Sequence, residues 1–300
     1  MKGTTGSPEL GSVIVGVDGC ESARRAALWA AAEAARRDGP LRIVHAADTD
    51  CRTPHLSAES VARVCGAGRD LLRDTAAAIG EQSPGPHITT EFSTGSPVPS
   101  LHGTAGLRGT VVVGNRGLGG FPYLMLGSVG RQVAPGATTP VIVVRGVDDG
   151  AETGVVLVAV RDEHDAECAR YAAREAEICK ASLRLLRAWN VFESAGIAVT
   201  MLDDVETLVG EQVHHLTAEA NRIRDEFPAL TVQADTEKSL TVAGALVEAS
   251  WHADLLVTGG WRSPGYIGPT PGRATHSLLH HAYCPVQLIP RPGSGHGSEP

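Results

Sequence analysis

The chain lacks long apolar runs, and none approaches the roughly 20 residues that a membrane-spanning helix needs. Its first residues, Met1 to Gly11, are polar and rich in glycine and serine, without the basic and then apolar layout of a signal peptide. These two absences predict a protein that has no membrane as a partner and lies in the cytoplasm.

Basic residues are scarce relative to acidic ones, since 26 lysines and arginines oppose 34 aspartates and glutamates and leave a net charge of −8. Such a chain offers no positive field to attract nucleic acid or an anionic membrane. We therefore expect no nucleic-acid partner. A nucleotide remains compatible with this charge, because backbone amides can hold its phosphates.

CxxC pairs are absent as well, and the six cysteines are scattered along the chain. This spacing favours free thiols in a reducing compartment over a disulfide framework. The cysteines are Cys20, Cys51, Cys65, Cys168, Cys179 and Cys284.

What the chain does contain is an internal repeat. Gly114 and Gly259, Gly127 and Gly272, and Pro140 and Pro285 are separated by one common offset, and similar apolar runs surround each pair. A length of 300 residues suits two average domains, so we interpret the chain as a tandem duplication. The predicted domains are residues 1–146 and 154–291, with a linker at 147–153 and a flexible tail at 292–300.

Short continuous apolar runs alternate with helical patterns in each copy, which is typical of a parallel sheet covered on both faces. We therefore predict an α/β fold with two domains, each a five-stranded, mostly parallel sheet. The predicted strands are 12–17, 41–45, 87–92, 110–114 and 141–144, then 155–160, 183–187, 230–234, 254–258 and 286–289. The predicted helices are 22–37, 59–79 and 128–133, then 166–180, 205–226, 242–251 and 273–282.

A glycine-rich loop follows the fourth predicted strand, with Gly114, Gly117 and Gly127 leading to Ser128 at a helix start. Ligands of parallel sheets bind outside the carboxyl ends of the strands, and glycines there let the backbone approach a ligand closely. The Ser128 hydroxyl, as a helix N-cap, and the free amides of the first turn suit an anion such as phosphate. Ordinary turn chemistry is the alternative, because the spacing is neither that of a P-loop nor that of GxGxxG.

This spacing, Gly114-x2-Gly117-x9-Gly127-Ser128, resembles the ATP-binding signature of the universal stress protein family, G-2x-G-9x-G-[S/T]. The opening Val15-Gly16-Val17-Asp18-Gly19, the second strand ending in Val44-His45-Ala46 and the final Thr139-Pro140-Val141-Ile142 are similar to the family in the same order. The resemblance spans both copies. It implies a Rossmann-like fold of the adenine nucleotide alpha hydrolase-like kind.

The resemblance also implies a nucleotide site in the first copy. Asp18 would lie near the ribose and adenine, and Ala46 would offer its backbone to the adenine. Mg²⁺ would arrive with the phosphates of ATP rather than in a protein cage. For Asp18 the alternative is a turn aspartate that caps local amides. The residues implied around the ribose and triphosphate are Gly114, Gly117, Gly127, Ser128 and Val129.

The second copy departs from the signature. Arg262 stands in place of the second glycine, Arg273 in place of the serine, and Arg161 in place of the aspartate unless Asp162 takes that position. A side chain in place of the second glycine should obstruct the approach of phosphates, so we predict a degenerate second site. Because arginine itself binds phosphate, weak or altered binding is the alternative.

Other polar clusters have simpler interpretations. His276 and His280 share a helix face and could ligate a metal, but a solvated helix face is the expected role, as it is for His214, His215 and Glu219. We expect the arginine pairs Arg24-Arg25 and Arg36-Arg37 to lie on the exposed face of the first helix, and no metal site. An exposed Cys20 thiol beside the nucleotide would suit redox sensing.

The function that the resemblance implies is an ATP-binding, nucleotide-dependent regulator or sensor in stress survival, with at most slow ATP hydrolysis. An adenylyl-transferring or ATP-hydrolysing enzyme is one alternative, but Gly19-Cys20-Glu21-Ser22 matches neither a HIGH-like nor an SGGxDS-like motif. A non-binding interaction scaffold is the other. The resemblance further implies that the two copies pair within one chain as a pseudo-dimer, and that chains can form a homodimer.

Overall fold

Short strands and helices alternate along both halves of the computed structural model, which describes residues 10–49, 57–83, 85–115, 128–133, 137–145, 152–162, 165–190, 202–259 and 272–290. The chain divides into a first unit, Glu9–Arg145, and a second unit that contains Gly146–Pro300. Most of the predicted linker and the whole predicted tail lie outside the described residues, so the predicted domain bounds stay predictions. Within the described part, no helix is both long and apolar enough to cross a membrane.

The first unit contains a parallel sheet of five strands in the order β3-β2-β1-β4-β5. Four helices connect the strands in sequence. The elements are β1 Val13–Gly16, α1 Glu21–Arg36, β2 Leu41–Ala46, α2 Ala58–Gln82, β3 Ile88–Ser93, α3 Pro97–Ala105, β4 Thr110–Gly114, α4 Ser128–Val133 and β5 Val141–Val144.

The second unit repeats this arrangement, with strands in the order β8-β7-β6-β9-β10 and every neighbouring pair parallel. The predicted fold class, two α/β units with five parallel strands each, is therefore confirmed. The elements are β6 Val155–Ala159, α5 Ala166–Cys179, β7 Ser182–Trp189, α6 Leu202–Glu226, β8 Val232–Lys238, α7 Val242–Ala249, β9 Leu255–Gly259, α8 Arg273–His281 and β10 Val286–Ile289.

The core of each unit lies between the central strands and the helices that cover them. In the first unit, α1 contacts α2, and α3 contacts α4, which is the pairing that right-handed crossovers produce on opposite faces of a sheet. The buried stripe of α1 consists almost entirely of alanines, so this helix approaches the sheet closely. The buried alanines are Ala23, Ala26, Ala27, Ala30, Ala31 and Ala34.

Helix α3 is present although the sequence pattern of the first copy did not predict it. Pro97 and Pro99 are poor helix residues, but they occupy the first turn, where the amides have no partner inside the helix. Leu101, in the middle of α3, is buried. The repeat itself carried the missing signal, because α3 corresponds to α7, which was predicted.

Strand β8 lies further along the chain than the predicted range 230–234. Beyond Ala234 the sequence turns polar, yet pairing with β7 continues to Trp189 and Lys238. β8 ends its sheet within the second unit, and about half of its residues are exposed. An edge strand tolerates polar side chains that a central strand would not.

A buried ion pair joins α1 to β4 and corrects the expectation that Arg37 is exposed. The Glu33 carboxylate accepts from Arg37 Nε at 2.7 Å, and both side chains are almost fully buried, at 2% and 1% exposure. Arg37 Nη1 also donates to Thr110 Oγ1 of β4 at 2.8 Å. Arg24 and Arg25, in contrast, are exposed as expected.

Replacing Glu33 by alanine should lower the free energy of unfolding of the first unit by about 3–5 kcal/mol, because the buried Arg37 guanidinium loses its counter-ion. Hydrogen exchange of the β1 and β4 amides in the full chain measures this change, with amides of the second unit as the internal reference.

The matched control is Glu59→Ala, which removes the carboxylate of the exposed pair with Arg63. An exposed pair of this kind contributes about 0–1 kcal/mol. If both variants lose the same small amount of protection, the buried pair contributes no more than a surface pair.

Candidate functional site

Chain order reverses between β1 and β4 in the first unit, because β2 lies on one side of β1 and β4 on the other. Such a switch point is where open parallel sheets bind ligands, outside the carboxyl ends of the strands. Gly16 pairs with Val44 of β2, and Val15 pairs with Val112 of β4. The three strands therefore end side by side.

Three of the predicted site residues stand at this edge. Asp18 follows β1 by two residues, Ala46 ends β2, and Gly114 ends β4. All three are half-buried, so they are neither part of the dry core nor fully in solvent. The structure therefore brings Asp18, Ala46 and Gly114 together at the switch point.

The turn after β1 fixes the position of Asp18. Asp18 Oδ1 accepts a hydrogen bond from the Cys20 amide at 3.0 Å, across Gly19, whose φ of +87° suits glycine. This contact is the local capping that was the alternative role for Asp18. It engages one carboxylate oxygen and holds the group at the end of β1.

Cys20 is the N-cap of α1, and its Sγ accepts from the Ala23 amide at 3.3 Å. Burial raises the pKa of the Cys20 thiol, and the hydrogen bond and negative charge of Asp18 raise it further. A thiol with a raised pKa is protonated at neutral pH, so it is a weak nucleophile.

Gly114 lies against the first turn of α1 with no room for a side chain. A Cβ at this position would lie 2.5 Å from Ser22 Oγ and 2.7 Å from the Ser22 carbonyl oxygen. The glycine is therefore required by packing, because Ser22 already fills the space that a side chain would need.

Ser22 and Asn115 form a contact at the site that the sequence did not predict. Ser22 Oγ donates to Asn115 Oδ1 at 2.6 Å, which ties the start of α1 to the start of the glycine loop. In the sequence, Ser22 stands out only as the end of Gly19-Cys20-Glu21-Ser22, which matches neither enzyme motif. No sequence signal linked it to Asn115, because the two residues meet only when α1 lies against β4.

At the end of β2, the side chain of His45, the residue before Ala46, contacts the end of β1. The His45 Nδ1–H donates to the Val17 carbonyl oxygen at 2.7 Å and so connects β2 to the end of β1. A Cβ on Gly68 of α2 would lie 2.7 Å from the His45 ring, which shows how closely α2 covers this end of the sheet.

The remaining predicted site residues lie on the loop and the helix after β4. Gly117 and Gly127 fall outside the described residues. Ser128 is the first residue of α4 rather than the residue before the helix, and its side chain is not among those described. Val129 is half-buried in the same first turn. The roles assigned to all of these residues stay predictions.

The second unit has a different residue at the position of Asp18. Val15 of β1 and Val158 of β6 have equivalent partners, because each pairs with the residue two positions before the end of the neighbouring strand, Val112 of β4 and Val257 of β9. Asp18 lies three residues after Val15, and Arg161 lies three residues after Val158. The sheet register therefore places Arg161, and not Asp162, at the equivalent position.

Arg161 forms an ion pair that fills the edge of the second unit. Its backbone amide, Nε and Nη2 donate to the fully buried Asp165 carboxylate at 2.9, 3.2 and 3.3 Å. A Cβ on Gly259, which ends β9, would lie 2.5 Å from Asp165 Oδ1 and 3.2 Å from Arg161 Nη2. The space beside this glycine is thus occupied by the chain's own charges.

The electrostatics of the two edges differ accordingly. Burial disfavours the charged form of Arg161, but the hydrogen bonds and charge of Asp165 outweigh burial and hold its pKa above the usual value. Arg187 takes the position that His45 has in the first unit. Burial lowers the pKa of Arg187, against the opposing charges of Asp162 and Asp165.

The alternative metal sites receive no support from the described residues. The rings of His276 and His280 are tilted by 44°, with centroids 4.4 Å apart, but no group of three His, Cys, Asp or Glu side chains in the described part of the chain could hold a metal ion. His214 and His215 are exposed, whereas Glu219 is buried, which raises its pKa. Arg262 lies outside the described residues, as does the side chain of Arg273.

We expect alkylation of Cys20 to require higher pH than alkylation of an ordinary thiol, because a raised pKa lowers the thiolate fraction at any given pH. Asp18→Asn removes the negative charge, so the profile should move back towards lower pH while burial keeps it above normal. Mass spectrometry of the Cys20 peptide after iodoacetamide treatment, from about pH 6 to about pH 10, measures both profiles.

Glu21→Gln is the control for this experiment, since it removes an adjacent, exposed carboxylate, whereas burial and Asp18 are what raise the pKa of Cys20. An Asp18→Asn profile identical to that of Glu21→Gln would contradict the assigned influence of Asp18.

Gly114→Ala should lower the free energy of unfolding of the first unit by about 1–3 kcal/mol, because the new methyl group overlaps the backbone of Ser22. The control is Gly66→Ala in α2, where nothing lies within 4 Å of the new methyl group. This control should gain about 0.5–1 kcal/mol. Hydrogen exchange of the β4 amides measures the stability of both variants. Equal protection of β4 in the two variants would show that α1 can shift to make room for the methyl group at little cost.

Comparison with known proteins agrees with this geometry. The model of the universal stress protein family matches residues 10–145 and 153–290. Universal stress protein Rv2624c of Mycobacterium tuberculosis is 27% identical over 292 residues, which cover 95% of this chain and 98% of that protein. Rv2005c of the same organism is 28% identical over 290 residues, covering 91% and 95%.

Among solved structures, a universal stress protein from Archaeoglobus fulgidus matches with a TM-score of 0.67 at 16% identity, covering 94% of this chain and 98% of that one. At this identity the likeness shows the fold alone. Two other structures, of universal stress proteins in complex with cAMP and with dAMP, align with 46% and 45% of this chain. Their TM-scores of 0.35 and 0.33 tie neither ligand to this chain. The two matches of the family model, which together span most of the sequence, establish that the chain belongs to the universal stress protein family and carries its domain twice.

Proposed function

We propose that the first unit binds ATP with Mg²⁺ and that the protein acts as a nucleotide-dependent regulator or sensor in stress survival. The observation that carries this proposal is the edge where β1, β2 and β4 end side by side. There Asp18, Ala46 and Gly114 are half-buried, and the groups beside Gly114 are the uncharged side chains of Ser22 and Asn115. The corresponding edge of the second unit is filled by Arg161 and Asp165.

The residues at this edge suit the parts of a nucleotide. The carboxylate of Asp18, held by the turn, can accept hydrogen bonds from ribose hydroxyls, and the backbone of Ala46 can pair with the adenine edge. Amides of the loop after Gly114 and of the turn at Ser128 and Val129 would hold the phosphates. Because the described residues contain no carboxylate cluster, Mg²⁺ would bind chiefly to phosphate oxygens and water.

Regulation would follow from the loop between Gly114 and Ser128. Nucleotide contacts made in only one arrangement of this loop would favour that arrangement and so change the surface offered to a partner. The contact of Ser22 with Asn115 fixes the loop at its start. A regulatory role therefore needs no catalytic group, although slow hydrolysis is compatible with it.

We propose further that the second unit does not bind ATP. A ligand there would have to move the Arg161 side chain, which is 37% exposed, away from the fully buried Asp165 carboxylate, and separating the two charges costs free energy. The expected stoichiometry is therefore one ATP per chain. The pairing of the two copies as a pseudo-dimer, the homodimer and the cytoplasmic location stay predictions.

Calorimetric titration with ATP and Mg²⁺, together with identification of any nucleotide released on denaturation, tests the proposal. Gly117→Arg copies the arginine of the second unit into the first and should abolish binding. Gly66→Arg is the matched control, because it adds the same side chain and charge where nothing lies within 4 Å of a Cβ. The control should retain one ATP per chain.

Each other outcome would assign a different function to the protein. Two ATP per chain would show that the Arg161–Asp165 edge admits nucleotide after all. No ATP in the wild type would leave an interaction scaffold as the better account. Rapid release of pyrophosphate or ADP, with an adenylylated or hydrolysed product, would identify an enzyme instead of a sensor.

A further inference from the structure

Two exposed aromatic side chains stand together on the second unit. Trp251 and Tyr283 are 62% and 50% exposed, and their rings meet edge to face with centroids 4.5 Å apart. They line an open groove of about 350 Å³ together with Gly244, Val247 and Glu248. Large aromatic rings left in water at one place are typical of a binding surface.

Backbone contacts hold the two rings in position. Trp251 lies in the 3₁₀ turn Ser250–His252, and Ser250 is buried. The Ser250 hydroxyl donates to the Val247 carbonyl oxygen at 2.6 Å and accepts from the Tyr283 amide at 3.0 Å. These hydrogen bonds fix the backbone that carries the two rings, which reduces the entropy that binding has to overcome.

The groove lies at the end of the second unit where two of its strands begin. Trp251 precedes β9, and Tyr283 precedes β10, so both residues stand where these strands begin. The switch-point residues stand where strands end. Binding in the groove is thus separate from the proposed function of the first unit.

The fold does not require aromatic residues at these positions. The offset that relates the two copies places Gly106 and Thr138 of the first copy opposite Trp251 and Tyr283. The first unit builds the same strands and helices without the rings. The aromatic pair is therefore a property of the second unit alone.

The chemistry of the groove suits a cation. Aromatic faces attract ammonium and guanidinium groups within about 6 Å of the ring centroid. Glu248 is exposed and lines the same groove, and no described residue pairs with its carboxylate. Two electron-rich rings beside one negative charge are groups that attract a positively charged side chain.

Contacts between a cation and an aromatic ring also occur within the chain itself. Three aromatic rings of the described chain each have a cation above them, whereas no described cation lies over Trp251 or Tyr283. The three pairs are Arg36 over Trp29 at 5.8 Å, Arg69 over Phe92 at 4.8 Å and Lys238 over Trp189 at 6.0 Å.

We propose that the groove of Trp251, Tyr283 and Glu248 binds an arginine side chain of a partner polypeptide. A guanidinium group is planar, so it stacks on a ring while its donors reach a carboxylate, which a lysine ammonium does less well. The net charge of −8 further favours a basic segment over an acidic one.

Fluorine NMR of the full chain labelled with 5-fluorotryptophan tests the proposal. The probe is the peptide acetyl-Gly-Arg-Gly-amide, and the Trp251 signal is assigned with the Trp251→Phe variant. The Trp251 signal should shift to saturation as the peptide is added. The Trp29 and Trp189 signals, whose rings already have cations, should stay in place and serve as internal controls.

The affinity for related peptides distinguishes a site specific for guanidinium from a surface that binds peptides nonspecifically. The same peptide with citrulline in place of arginine keeps the shape but loses the charge, and it should bind at least about tenfold more weakly. Glu248→Gln should weaken the arginine peptide by about two- to fivefold. Tyr283→Ala should weaken it by a similar or larger factor.

Two results would overturn the proposal. Equal shifts with the arginine and citrulline peptides, or no shift up to the solubility limit, would show that the groove does not recognise a guanidinium group. A Trp251 signal that moves with protein concentration alone, with a sedimenting dimer that Trp251→Ala abolishes, would make the groove a contact between copies of this chain.

Discussion

In both units the first helix lies so close to the end of the fourth strand that only glycine fits there. Gly114 meets the backbone of Ser22, and Gly259 meets the side chains of Asp165 and Arg161. This contact decides where the first turn of the helix stands relative to the sheet edge. It also determines the position of the turn after the first strand and of the start of the loop, and so the space left for a ligand. Close packing in α/β units leaves little freedom elsewhere.

The two copies meet this constraint with different chemistry. The first places a hydroxyl and an amide there, which are neutral and are already joined by one short hydrogen bond. The second places a carboxylate and a guanidinium there, and the two form an ion pair. The strands and their register are the same, so the backbone does not distinguish the two edges. The side chains that follow the first strand make the difference.

The sequence predicted most of the fold, because buried strands appear as short apolar runs and the repeat locates their ends. β4, β5 and β10 lie where the pattern placed them. Helix α3 was not predicted because its first turn contains two prolines, and the second half of the edge strand β8 was not predicted because its residues are polar. For the candidate site, the sequence could name single residues but not partners. The contacts of Ser22 with Asn115 and of Gly259 with Asp165 join distant parts of the chain, and only the sheet register makes Arg161 the counterpart of Asp18.

The ion pair of the second unit also constrains how the sequence can change over time. Replacing Arg161 alone by aspartate would set two carboxylates against each other at a position where Asp165 has no access to water. Replacing Asp165 alone would remove the carboxylate that pairs with Arg161. Each first step back towards the residues of the other copy therefore passes through a less stable protein, although the two changes together need not. Once both charges were in place, selection against the less stable single variants would keep the two halves of the chain different.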